Sequence, residues 1–261
     1  MIPWNELALI WAASALAMTL VWALCWRVSN AGYVDVAWAA LMAAAALFAG
    51  ATGSGAELPR SLVALMGSIW GARLSLHVLH RVLHEPEDGR YRYLREHWNG
   101  SQLKFFLFFQ GQAIFVVLFA LPMLIAARNP IAGVSLWTVL AVAIWLISVA
   151  GESLADAQLT RFRQNPANRG KTCREGLWGW SRHPNYFFEW LHWFSYVLLA
   201  IGAPHGWLAL SGPLLMLLFL YRFTGIPYTE AQALRSRGDD YRAYQQEVSA
   251  LIPWPPKSSN P

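Results

Sequence analysis

Seven apolar stretches separated by polar loops constrain this chain more than any other feature: residues 7–26, 34–51, 62–83, 105–127, 135–150, 187–201 and 207–220. At helical rise such segments can each carry the backbone through a hydrocarbon core. They specify an all-α, polytopic integral membrane protein with seven transmembrane helices, one domain over residues 1–261. The last two stretches are short and joined by Gly202-Ala203-Pro204-His205-Gly206, which suits a hairpin. The first follows Pro3-Trp4-Asn5-Glu6 with no basic leading region and is followed by many similar stretches, so it reads as a retained span and not a signal peptide.

Composition supports this. Of 261 residues, 56% are hydrophobic, 13% are charged and 15 are tryptophan. The charged share is about half the usual one. That excludes a disordered chain, a disulfide-rich secreted scaffold, a collagen-like fibre and a cytosolic enzyme with a solvated surface. Cys25 and Cys173 lie far apart in unlike surroundings and read as buried thiols, with no disulfide framework or cysteine metal site.

Positive charge collects on the cytoplasmic side of a membrane protein. All but Arg60, Arg73 and Arg128 of the 20 Lys and Arg residues fall in one alternating set of loops: Arg27, Arg81 to Lys104, Arg161 to Arg182, and Arg222 to Lys257. With seven spans this sorting puts the N-terminus outside and the C-terminal tail in the cytoplasm. The net charge of +5 then belongs to cytoplasmic loops, where it can serve an anionic cofactor, and not to a nucleic-acid surface.

Ionisable residues at membrane depth are costly, and each is a functional hypothesis. Asp35 opens the second span two residues after Tyr33; an interfacial, hydrated carboxylate is the plain alternative. Arg73 sits mid-span and needs a carboxylate such as Asp35 or Glu152. His77, His80 and His84 line one face of the third helix, but no adjacent histidine pair occurs and the ligands are too few for a di-iron site, so no metal is assigned. In the following loop, Glu85 to Arg95, arginine and tyrosine interleave at Arg90 and Tyr91, a pattern that suits an anion carrying a flat ring as well as a solvated loop.

The fifth stretch runs on into a polar helical extension bearing Glu152 and Asp156 four apart, with Arg163 two turns further. The densest constellation is Lys171 to Trp190, with Trp178, Ser181, Arg182, His183, Pro184, Asn185, Tyr186 and Glu189. Pro184 suits the first position of a helix, whose unpaired amides beside Arg182 and His183 would take an anion. Asn185 and Glu189, four apart, share a face. Trp178 and Trp180 suit either ring stacking or the membrane interface. Arg222 and Glu230 lie in the C-terminal part. No Gly-x-Gly-x-x-Gly after a strand and no Walker loop occurs, so a nucleotide would be held by the helices and their cytoplasmic loops.

The run Gly176-Leu177-Trp178, Ser181-Arg182-His183-Pro184-Asn185-Tyr186 and Glu189-Trp190, with Gly225-Ile226-Pro227 and Ala250-Leu251-Ile252-Pro253, resembles the steroid 5α-reductase family. It is most similar to the bacterial branch formerly described as a domain of unknown function. Tyr33-Val34-Asp35 and Glu87-Asp88-x-Arg90-Tyr91 extend the likeness, which is strongest over about residues 104–261. The resemblance implies a seven-helix, monomeric enzyme of the bacterial inner membrane. It would use NADPH to reduce the carbon–carbon double bond of a 3-oxo-Δ4 steroid or similar lipophilic enone. It implies cofactor contacts for Asp156, Arg163, Lys171, Asn185, Glu189 and Arg222, to which Trp178, Ser181, Arg182, His183, Tyr186, Glu230, Arg90 and Tyr91 are added as candidates. Hydride addition to an enone drives negative charge onto the carbonyl oxygen, so a donor is needed there, and Asp35, Tyr33 and His77 are the candidates. The Arg-His-Pro-Asn-Tyr element also resembles isoprenylcysteine carboxyl methyltransferases and sterol reductases. An S-adenosylmethionine-dependent methyltransferase is therefore one alternative, and a non-catalytic membrane lipid-binding protein is another.

Overall fold

The computed structural model describes residues 2–223 and 225–257. Its long elements are all helical: α1 (Trp4–Val28), α2 (Tyr33–Thr52), α3 (Glu57–His84), α4 (Gly89–His97), α5 (Gln102–Ala126), α6 (Leu136–Gln164), α7 (Pro184–Leu199), α8 (Ser211–Leu218), α9 (Ile226–Arg237) and α10 (Asp239–Glu247). Among the described residues the sole β feature is an isolated bridge between Ser181 and Ser249. The protein is an all-helical, polytopic membrane protein.

Among the described residues, 6 helical segments are long and apolar enough to cross a membrane: α1, α2, α3, α5, α6 and the stretch Gly206–Arg237. These match six of the seven stretches read from sequence. The exception is α7, which has 16 residues. It rises about 24 Å, short of a hydrocarbon core of about 30 Å.

The chain forms two compact units, one comprising the residues up to Thr138 with Tyr196–Gly212, the other Val139–Ser195 with the residues from Pro213 on. In the first unit α2 and α3 pack through small residues. A side-chain carbon added at Gly71 would lie 2.8 Å from the Ala39 carbonyl oxygen, one at Gly50 would lie 2.6 Å from Ala64 Cβ, and one at Gly67 would collide with Ala46. Where lipid offers no hydrophobic contrast, such close backbone approach provides the attraction between helices. Between α1 and α5 the Gln110 side-chain amide donates to Thr19 Oγ1 (3.1 Å).

At the other end of this unit Arg128 pairs with Glu6, and Arg60 donates to the Gly50 carbonyl at the end of α2 (2.9 Å). Two of the three basic residues outside the main charge sorting therefore have local structural partners. The buried Asn129 amide donates to the carbonyls of Leu199 (2.7 Å) and Ile201 (2.9 Å), satisfying the C-terminal end of α7.

In the second unit Gly151 of α6 faces the Phe188 ring of α7 so closely that a side chain would clash. The helical extension of α6 through Arg163 forms as the sequence predicts. The segment after it folds back: Trp178 Nε1 donates to the Ala155 carbonyl (2.9 Å), and the Leu177 amide to Gln158 Oε1 (3.0 Å). The tail closes over this turn. Tyr244 donates its hydroxyl hydrogen bond to the Trp178 carbonyl (2.5 Å), and the Trp254 amide reaches the Trp180 carbonyl (2.9 Å).

Candidate functional site

Two polar constellations emerge, one in each unit. In the first, Asp35 lies in the first turn of α2. Tyr91 donates its hydroxyl to Asp35 Oδ1 (2.7 Å), and Arg90 Nη2 lies 3.1 Å from Oδ2. Arg90 Nε also reaches Asp88 Oδ1 (3.2 Å). Asp88 in turn caps α4 by accepting the Arg90 amide (2.9 Å), and it faces Arg81 at 3.6 Å. Glu87 Oε1 accepts the Ala31 amide and Arg95 Nη2, both at 2.7 Å. The loop after α3 is thus folded onto the start of α2 by its own charges.

Tyr91 is buried, and burial first, then the neighbouring Asp35 charge, push its hydroxyl well above the usual tyrosine range. It stays protonated at any physiological pH. Burial alone would raise the Asp88 carboxyl, but the Arg90 charge, hydrogen bonds from Arg90 and the Arg81 charge together hold it below its ordinary value.

Arg90, Tyr91 and Asp35, each singled out in the sequence, are brought together here. Arg90 and Tyr91, read as cofactor contacts, are engaged by Asp35 and Asp88, because a half-buried guanidinium requires carboxylate partners. Asp35, read as a proton donor, accepts hydrogen bonds from the Tyr91 phenol and the Arg90 guanidinium, one on each oxygen. Tyr33 is half-buried and packs against the core formed by Met18, Cys25, Val34 and Phe109. His77 is half-buried on α3, while His80 and His84 stack at 4.3 Å. Among the described residues no group of three or more His, Cys, Asp or Glu is placed to hold a metal.

The second constellation surrounds the start of α7, which begins at Pro184 as the sequence predicts. Arg182 is largely buried. Its Nε lies 2.6 Å from Glu230 Oε1, and its Nη1 donates to the carbonyls of Gln245 (2.9 Å) and Val248 (2.6 Å). His183 Nε2 lies 3.3 Å from the same Glu230 oxygen, and Gln245 Nε2 donates to Oε2 (2.8 Å). Ser181 is fully buried and donates to the Leu251 carbonyl (2.8 Å). The His183 ring stacks on Tyr186 at 5.2 Å, and the Tyr186 hydroxyl meets Thr229 at 3.3 Å.

At the helix start expected to take an anion, these side chains form a clasp. Ser181, Arg182, His183 and Glu230 serve one another, because a guanidinium brought out of water keeps its charge by pairing. The Tyr186 and Phe187 amides, which would have faced the anion, bond to Asn185 Oδ1 and the His183 carbonyl, both at 3.0 Å. Trp178 is buried with its indole nitrogen spent on Ala155, so its ring is not presented for stacking.

Asn185 Nδ2 donates to Asp156 Oδ1 (3.2 Å), with Glu189 one turn further along α7 and half-buried. Arg163, Lys171 and Arg222 have exposed side chains. This donor set fits a dinucleotide phosphate in kind: exposed cations for phosphates, and a carboxylate with an amide for ribose hydroxyls. The sequence reading missed Asp240, which accepts the Thr172 amide (2.7 Å), and the Arg174 to Glu247 ion pair (2.5 Å). Their partners are about 70 residues away in the chain, and no local pattern announces them.

A family model described as "Protein of unknown function (DUF1295)" matches residues 21–248. No curated protein matches the chain.

Proposed function

The chain belongs to the DUF1295 family, and on that premise we propose that it is an NADPH-dependent membrane reductase of a lipophilic enone, of the 3-oxo-Δ4 steroid kind. The observation that carries this reading is the buried Tyr91 hydroxyl held 2.7 Å from Asp35. A carbonyl oxygen that gathers negative charge needs a fixed donor in a water-poor setting. In the resting site the one Tyr91 hydroxyl proton is donated to Asp35 Oδ1; with substrate bound the hydroxyl turns from Asp35 to the carbonyl oxygen, and Arg90, whose guanidinium lies 5.3 Å from the Tyr91 ring centre, offsets charge left on the phenol oxygen.

NADPH, when bound, supplies the hydride. Asp156, Asn185 and Glu189 are assigned to its ribose and carboxamide groups, and Arg163, Lys171 and Arg222 to its phosphates. The reading further assigns seven crossings, with α7 as the additional one. No Lys or Arg occurs between Arg182 and Arg222, so α7 and the helices after the 202–206 turn can form a hairpin whose two flanks both lie among the basic loops. The N-terminus is then outside and the C-terminal tail in the cytoplasm of a cell-membrane protein that acts as a monomer.

NADPH oxidation by the detergent-purified protein against 3-oxo-Δ4 steroids and other enones tests the activity. Tyr91→Phe is expected to lower kcat by about 10²–10⁴-fold, the usual contribution of a positioned proton donor, with NADPH affinity retained. Protein that gains no thermal stability from NADPH overturns the reading. Stabilisation by S-adenosylmethionine instead would favour a methyltransferase.

A further inference from the structure

The second unit carries an exposed aromatic platform outside its helices. Trp180, Ile252 and Trp254 are 50%, 56% and 68% exposed, while Ser181 and Leu251 between them are 0% and 2% exposed. The exposure is one-sided. The Trp254 amide donates to the Trp180 carbonyl (2.9 Å), and the bridge between Ser181 and Ser249 fixes the two strands of chain side by side. From Ser249 to Pro256 there is no charged residue, and Lys257 follows.

We propose that this platform is an interfacial anchor, seated in the boundary between headgroups and acyl chains of the membrane leaflet at the α7 N-terminus. The inference rests on the reading of α7 as a crossing. A 16-residue helix that rises about 24 Å is too short for a core of about 30 Å unless its flank lies in the boundary layer. Trp180 stands four residues before Pro184, at the required place, with Trp254 hydrogen-bonded beside it. Tryptophan is the residue that favours this layer, its ring apolar and its N–H wet, and a lysine at the edge suits anionic headgroups. Such a patch left in water would be an association site, whereas in the boundary it is covered without a protein partner.

The test uses the full chain reconstituted in vesicles of phosphatidylcholine and phosphatidylglycerol, with a nitroxide on Trp254→Cys and, as an aqueous control, on Arg242→Cys. Both native cysteines are buried and protected from the reagent. Collision rates with oxygen and with a water-soluble nickel chelate give the depth of each label. The expected result places the label at position 254 about 5–10 Å into the boundary and the control in water. A label at 254 with the control's aqueous accessibility, or one immobilised against protein and shielded from both quenchers, overturns the anchor. The crossing is read separately, from the reaction of Ala203→Cys with a membrane-impermeant maleimide on intact cells. A protected thiol there overturns the seven-crossing reading, while the depth of the label decides the anchor.

Discussion

A carboxylate that caps a helix and faces two guanidinium groups makes its contribution to stability in a defined pH window. Asp88 is such a group, bonded to the Arg90 amide and side chain and facing Arg81. Its carboxyl is held below the ordinary 3.8, so its contribution is complete above that value and is lost as pH falls through the lower value of the folded state. Asp88→Ala is expected to cost about 0.5–2 kcal/mol in denaturant unfolding at pH 7, and less in acid. The tyrosines of α10 act at the opposite extreme. Burial, then the charge of Glu230, pushes Tyr241 up to about 12, and burial also raises Tyr244. Stability from Tyr241 is complete below about pH 10, where the unfolded phenol ionises, and is lost as pH rises toward about 12. Thermal midpoints between pH 9 and 12 should therefore fall less steeply for Tyr241→Phe. Asp35, Arg90 and Tyr91 were each legible in the sequence as residues of interest. Their mutual contact was not, because 55 residues separate Asp35 from Arg90 and spacing along the chain carries no information at that range.

Among the elements, the contact of α2 with α3 depends on the absence of side chains. Gly67→Val would drive a branched side chain into Ala46 and is expected to destabilise by about 1–3 kcal/mol, read as a lowered thermal midpoint in detergent. The clasp before α7 depends on pairing. Arg182→Ala would leave Glu230 largely buried beside a partner lost, at a cost of about 3–5 kcal/mol, whereas Glu230→Gln keeps the hydrogen-bond acceptor and should cost less. Five of the long helices and the polar extension of α6 were readable from apolar runs and charge spacing. The clasp was not: Arg182, His183 and Ser181 carry the marks of an anion site, and what closes it arrives from Glu230, Gln245 and Leu251, well downstream. A basic cluster in sequence shows charge and hydrogen-bond donors without showing whether the fold has already spent them.

For the whole molecule, binding of a ligand to the folded state and folding stability are linked. NADPH at 100 times its Kd should stabilise the folded state by about 2.7 kcal/mol, visible as a raised thermal midpoint that Asn185→Ala diminishes. The class of the protein was legible because hydrophobic length is written locally. The number of crossings was not, since α7 falls between a buried helix and a span by length alone. Asn129 adds a requirement of timing. Its side chain is made some 70 residues before the carbonyls of Leu199 and Ile201 that it will hold. Until those carbonyls have been made, that amide lacks both of these acceptors. Synthesis of the end of α7 is thus the step that closes this junction, and a nascent chain stopped before Leu199 leaves it open.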